Sequence, residues 1–147
     1  MNACIVRFLA AVAVVVALTA SVDANAPAGR YTTSGGTVYD TKTKLTWQQA
    51  VPPGTYTWAG AKTYCAGLNL GGTGWRLPTA KELQTIVDDS ETSPAIDTTA
   101  FPWPPAGWFW SSSPAAYESS KAWGVNFYDG FTNNVDVSVP GSVRCVR

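Results

Sequence analysis

The side chains that could do chemistry in this chain are few, and one type is missing altogether. Its 147 residues include three cysteines, ten carboxylates and no histidine. Without an imidazole, neither a Ser-His-Asp nor a Cys-His arrangement can be assembled. Zinc is disfavoured for the same reason, because its shells draw on Cys and His together. Carboxylates remain, with Asp88, Asp89 and Glu91 in one cluster and Asp129 with Asp136 in another. Two carboxylates flanking a scissile bond are glycosidase machinery, but carboxylates in loops are ordinarily solvated, and a non-catalytic protein is expected. Asp88, Asp89, Glu91 and Asp97 also have the oxygen chemistry for calcium. A solvated acidic loop is the simpler reading, and no cofactor or metal is expected. Gly71-Gly-Thr-Gly74 lacks the downstream lysine and the strand–helix setting of a phosphate loop.

The cysteines are read through the N-terminus. A basic residue at Arg7, an apolar run from Phe8 to Ala20 and small residues around Ala24 have the layout of a secretory leader. The apolar run falls short of the roughly 20 residues needed to span a bilayer. A leader over residues 1–24 and a mature domain over 25–147 are therefore expected, secreted or periplasmic, with no membrane insertion after cleavage. Cys4 precedes the apolar run, which speaks against a lipid-modified cysteine. The mature pair, Cys65 and Cys145, reads as a disulfide in an exported protein. A reactive thiol or metal ligand is the alternative. Without Arg7 and Asp23 the chain keeps nine basic and nine acidic side chains. A neutral protein has no long-range field to gather nucleic acid, and no nucleic-acid partner is expected. Arg76, Lys81, Arg144 and Arg147 are the raw material for any local basic patch.

The elements that must position these groups follow from periodicity. Val38–Asp40 and Leu45–Gln49 read as a hairpin around residues 41–44. Thr57 caps a helix reaching about Asn69, with Trp58, Ala61, Cys65 and Leu68 on one face, so Cys65 points into the core. Trp75 and Leu77 belong to a short strand that Pro78 stops. Thr79-Ala-Lys-Glu82 is a capping box opening a second helix that buries Leu83, Ile86 and Val87. Residues 88–107 form a long irregular connection, a length often tied to function or mobility. Antiparallel strands follow at 108–113, 123–128 and 135–139, with Asp129-Gly130 turning the middle pair. Pro140-Gly141 suits a type II turn into a last strand, Val143–Arg147, that presents Cys145 inward.

Most of the seven tryptophans serve the core in this reading: Trp47, Trp58, Trp75, Trp110 and Trp123. Trp103 stands apart in a Pro-rich loop. A binding face would draw on aromatic rings that stack on sugars and amides that bond hydroxyls. The candidates are Trp103, Tyr117, Asn126, Tyr128, Asn133 and Asn134. Arg76 fits a structural ion pair better than an anion receptor.

Six segments occur here in an order that carries a resemblance: Gly36-Thr-Val-Tyr-Asp-Thr-Lys-Thr-Lys-Leu-Thr-Trp47, Trp58-Ala-Gly-Ala-Lys-Thr-Tyr-Cys65, Trp75-Arg-Leu-Pro-Thr-Ala-Lys-Glu-Leu83, Trp110-Ser-Ser-Ser113, Ala122-Trp-Gly-Val-Asn-Phe127 and Val143-Arg-Cys-Val-Arg147. Together they resemble the bacterial domain family typified by the C-terminal domain of the Legionella collagen-like protein. The resemblance covers nearly all the mature chain. It implies an α+β, C-type lectin-like fold, related to formylglycine-generating enzymes, with two helices packed on twisted antiparallel sheets and one disulfide. Formylglycine chemistry itself needs redox-available cysteines, and this pair reads as a structural one. The sugar-binding loop and Trp-Asn-Asp strand of calcium-dependent lectins are absent; Trp123-Gly-Val-Asn126 is the nearest text. The resemblance further implies an exported binding or adhesion module, associated with polysaccharide, sulfated ones in particular. The alternative is a structural module of the cell envelope whose partners are envelope or extracellular proteins. Oligomeric state is open.

Overall fold

Two capped helices and two small sheets arise where the patterning places them, with instructive differences at their ends. The computed structural model describes residues 27–147; the leader expected over 1–24, with Cys4, lies outside them. The elements in chain order are β1 (Tyr31–Ser34), β2 (Thr37–Asp40), β3 (Thr46–Gln48), α1 (Trp58–Gly67), α2 (Ala80–Gln84), β4 (Trp108–Pro114), β5 (Lys121–Asn126) and β6 (Thr132–Asp136). They make an α+β domain with two three-stranded antiparallel sheets, β1-β2-β3 and β4-β5-β6. No helix among the described residues is long and apolar enough to cross a membrane.

Helix α1 begins at Thr57, whose hydroxyl accepts the Gly60 amide, and buries Ala61 and Cys65. It stops at Gly67, short of the expected Asn69. Leu68 takes an extended conformation there and its amide turns back to the Cys65 carbonyl. Helix α2 opens on the expected capping box, Thr79 and Glu82 satisfying each other's backbone amides. It lasts only to Gln84. Thr85, Ile86 and Val87 continue in tight turns, which still bring Ile86 into the core at 1% exposure.

Three strand expectations are corrected. Strand β1 was not anticipated, because Thr32, Thr33 and Ser34 are exposed and carry no apolar alternation. Strand β6 covers Thr132–Asp136 rather than 135–139. The Asp136 carboxylate takes the Ser138 amide and hydroxyl at 2.9 and 2.6 Å, ending the strand and leaving Val139 exposed. The segments around Trp75 and Val143–Arg147 form no regular strands, only isolated bridges, Trp47 to Val146 and Arg76 to Val146. Trp47, Trp75 and Trp110 are buried as expected, whereas Trp58 and Trp123 are half-buried.

Residues 141–147 nevertheless join the two sheets. The Thr46 and Gln48 amides donate to the carbonyls of Arg147 and Cys145 at 2.8 and 2.9 Å, extending the first sheet. The Ser142 amide and carbonyl meet the Trp108 carbonyl and Trp110 amide at 2.8 and 3.1 Å, extending the second. Cys145 then reaches α1 through a disulfide to Cys65, 80 residues away. Gly141 departs from the expected type II turn, since its φ is not positive. Its role is close approach: a β-carbon there would lie 2.9 Å from the Trp108 ring and 3.0 Å from Trp110 Nε1.

Two ion pairs brace the frame. The Arg30 guanidinium bonds the buried Asp40 carboxylate at 2.8 Å and the Thr85 carbonyl at 2.5 Å, tying the first sheet to the end of α2. Burial pushes the Asp40 pKa up, but Arg30 and the Lys42 amide outweigh it and hold the group below the usual carboxylate range. Arg76 grips Glu82 with two bonds, at 2.8 and 2.6 Å, fulfilling the structural role expected of it.

The closure of an 80-residue loop is worth roughly 4–5 kcal/mol in the chain-entropy account. Replacing Cys65 and Cys145 together by alanine should lower the unfolding free energy by about that amount. Urea titration of both forms checks this, and a loss under about 1 kcal/mol would contradict the entropic account.

The Arg76 side chain holds Glu82 at a pKa of about 2, against partial burial and with help from Thr79, below its reference value of 4.5. The stabilisation is therefore complete above about pH 4.5 and disappears as pH falls through about 2. The pair is partly exposed, so about 1 kcal/mol is expected. Glu82→Gln should cost that much at neutral pH, with the two unfolding curves converging in acid. A gap that stays constant across the titration would assign the loss to packing instead.

Candidate functional site

The long connection between α2 and β4 is pinned from within before it reaches solvent. Ala95, Ile96, Ala100 and Phe101 are all buried. The amides of Ser93 and Ala95 donate to the Tyr128 and Phe127 carbonyls at 2.9 and 2.7 Å, fastening this loop beneath the β5–β6 hairpin. Asp97 Oδ1 accepts the Thr99 and Ala100 amides at 2.8 and 3.1 Å, and Gln49 Nε2 holds the Ala100 carbonyl at 3.0 Å. Phe101 then packs edge-on against Tyr31. These contacts root the connection up to Phe101 in the core.

Trp103 has none of this kind. Two residues beyond Phe101, its side chain is 94% exposed, and its backbone is left-handed with φ of 54°. A bulky residue in that region costs on the order of 1–3 kcal/mol, and leaving an indole in water forgoes a large apolar burial. Pro102, Pro104 and Pro105 on either side fix the approach of the chain. Trp103 lines an open cleft of about 450 Å³ together with Pro94, Thr98, Pro102 and Pro104. The lining is apolar except for Thr98. Such a surface suits the flat face of a ring-shaped ligand.

The other sequence candidates fall into two groups, neither lining that cleft. Tyr117 and Asn134 meet directly, Asn134 Nδ2 donating to the Tyr117 hydroxyl at 2.6 Å. Neighbouring Asn133 accepts the Asn134 amide at 2.8 Å. That bond occupies a backbone donor on edge strand β6, which blunts the edge against a further strand. The second group sits on the β5–β6 turn. Asn126 Oδ1 accepts the Tyr128 amide at 3.0 Å, and its carbonyl accepts the amide of Gly130, whose left-handed φ of 80° closes the turn. Tyr128 is exposed there, together with Phe131 at 73%, a residue the sequence reading missed. The missed signal was the position of Phe131 directly after Asp129-Gly130, where a turn lifts its successor clear of the sheet.

The charged candidates are committed elsewhere. Asp88 Oδ1 takes the Ser90 amide and hydroxyl, and Asp129 Oδ1 takes the Phe131 amide. Among the described residues, no group of three or more Cys, Asp or Glu is arranged to hold a metal ion. The basic patch is not assembled either. Arg144 is 1% exposed, Arg76 serves Glu82, and Arg147 lies over the Trp75 ring at 4.8 Å while bonding the Gly71 carbonyl. A smaller cleft of about 260 Å³ near Arg30, Tyr31, Asp97 and Thr99 borrows its charges from these same structural bonds.

Comparison with known proteins bears on the scaffold rather than on the cleft. No curated protein matches the chain at significant similarity. One family model does match, and its span includes both helices, both cysteines, the Trp103 loop and the C-terminal segment, leaving out β1 and Arg30. Over residues 36–147 the chain belongs to the Lcl C-terminal domain family.

Proposed function

We propose that the protein is an exported binding domain of C-type lectin-like topology that holds a polysaccharide by stacking a sugar ring on Trp103. The observation that carries this reading is Trp103 itself, 94% exposed in a left-handed backbone on a loop otherwise rooted in the core. Strain at one residue, maintained by a rigid surround, is a mark of functional positions. The indole is presented to solvent on a backbone whose course the flanking prolines restrict, which lowers the entropic cost of ordering the loop on binding. The absence of any histidine favours binding over acyl-transfer catalysis.

The composition of the cleft narrows the ligand. Family resemblance suggests sulfated chains, but Arg76 and Arg147 are engaged within the fold and Arg144 is buried away from the surface. An apolar wall with one hydroxyl, from Thr98, supports recognition of an uncharged sugar ring through its C–H face. Binding should therefore respond little to added salt. A second reading, an interaction module of the cell envelope, is favoured by the exposed Tyr128 and Phe131 on the β5–β6 turn.

A glycan array followed by titration separates the two. Trp103→Ala should weaken binding to a retained neutral glycan by about tenfold or more, equivalent to ~1.4 kcal/mol, while Phe131→Ser leaves it unchanged. Because Trp103 contributes little to packing, the alanine variant should unfold within about 0.5 kcal/mol of the parent. Retention of no glycan, with an envelope protein whose capture depends on Phe131, would replace the sugar-binding reading by the second.

A further inference from the structure

Arg144 has an electrostatic problem that the protein does not solve with its own atoms. Its side chain is 1% exposed, yet none of the ion pairs among the described residues includes it. Nη1 donates to the Gln48 and Gln49 carbonyls at 2.8 and 2.6 Å. The guanidinium carbon lies 4.6 Å from the centre of the Phe101 ring and 5.9 Å from that of Phe109. These contacts satisfy one nitrogen and one face of the cation. Nε and Nη2 have no protein acceptor within hydrogen-bond reach. Burial draws the pKa down to about 9, so the group is still charged at neutral pH.

Buried polar groups are almost always satisfied, and an unpaired one calls for an ion or an ordered water. The chemistry of the unsatisfied atoms decides between them. Among the described residues, the buried side-chain atoms without a partner are Arg144 Nε, Arg144 Nη2, Trp47 Nε1 and Trp108 Nε1, every one a donor. Trp47 belongs to the same apolar cluster as Phe101 and Phe109, the two rings beside the guanidinium. A water molecule could accept from Arg144 Nε and Nη2 but would leave the buried charge uncompensated. An anion only accepts, and it also compensates the buried charge. A position closed to solvent suits a monatomic ion.

We infer that Arg144 Nε and Nη2 hold a small inorganic anion, a halide by class, within the core. The ion would stiffen the contact of Arg144 with Phe101 and so the root of the Trp103 loop. The inference stands independently of what Trp103 binds.

Bromide tests it in two ways. In crystals of the unaltered protein grown with sodium bromide, an anomalous difference peak is expected within hydrogen-bond reach of Arg144 Nε and Nη2. Density without anomalous signal at that position identifies water and overturns the inference. In solution, the thermal midpoint should rise with the logarithm of bromide concentration beyond its value in equal sodium gluconate, whose anion is too large to enter. Equal midpoints in the two salts overturn the inference as well. Arg144→Met should abolish the bromide increment, and should that variant not fold, the crystal measurement decides.

Discussion

The structure depends on residues 141–147, a segment with almost no regular secondary structure of its own. Within a few residues Gly141 bonds Tyr56, Ser142 bonds Trp108 and Trp110, and Arg144 bonds Gln48 and Gln49. Cys145 is cross-linked to Cys65, and Val146 is bridged to both Trp47 and Arg76. The side chains of Cys145 and Val146 enter opposite apolar clusters, one beside α1 and the other beneath the Trp103 loop. Backbone hydrogen bonding and covalent closure therefore act on the same few residues. Two separate three-stranded sheets become one domain through this segment.

Much of this architecture is legible where a local rule has a single outcome. Thr79 and Glu82 make a capping box wherever the chain can turn into a helix, and Glu82 then becomes the natural partner of Arg76. Cys65 faces inward because it shares a helical face with Ala61. The illegible parts are those where tertiary context overrides local pattern. Val135, Val137 and Val139 alternate like a strand, but the Asp136–Ser138 turn stops it early. Strand β1 pairs with β2 although its residues have no apolar face to announce it. Arg144 is the sharpest case, a charged side chain read as surface material and found inside, because burial is a property of the neighbours rather than of the residue. Within the candidate site, Trp103 stands out in sequence by its prolines alone, while its φ and exposure come only from coordinates.

A division of labour runs through the loop between α2 and β4. Its buried half, from Ala95 to Phe101, is held by the core, by Gln49 and by the neighbouring hairpin. Its outer half carries Trp103 and its prolines into solvent. The root holds the course of the backbone up to Phe101, while the Trp103 ring beyond it is left exposed. Arg144 beneath Phe101 connects this display to the C-terminal segment.

The location of the Cys145 cross-link carries a consequence for timing. A polypeptide is delivered from its N-terminus, whether it emerges from a ribosome or threads through a translocation channel. Here the carbonyls of Cys145 and Arg147 complete the hydrogen bonding of β3, more than 95 residues behind them. Neither the first sheet nor α1 can reach its final partners while that tail is still in transit. Such distant pairings are entropically slow to form, so closure of the domain waits on the docking of residues 141–147, however early the local elements have formed.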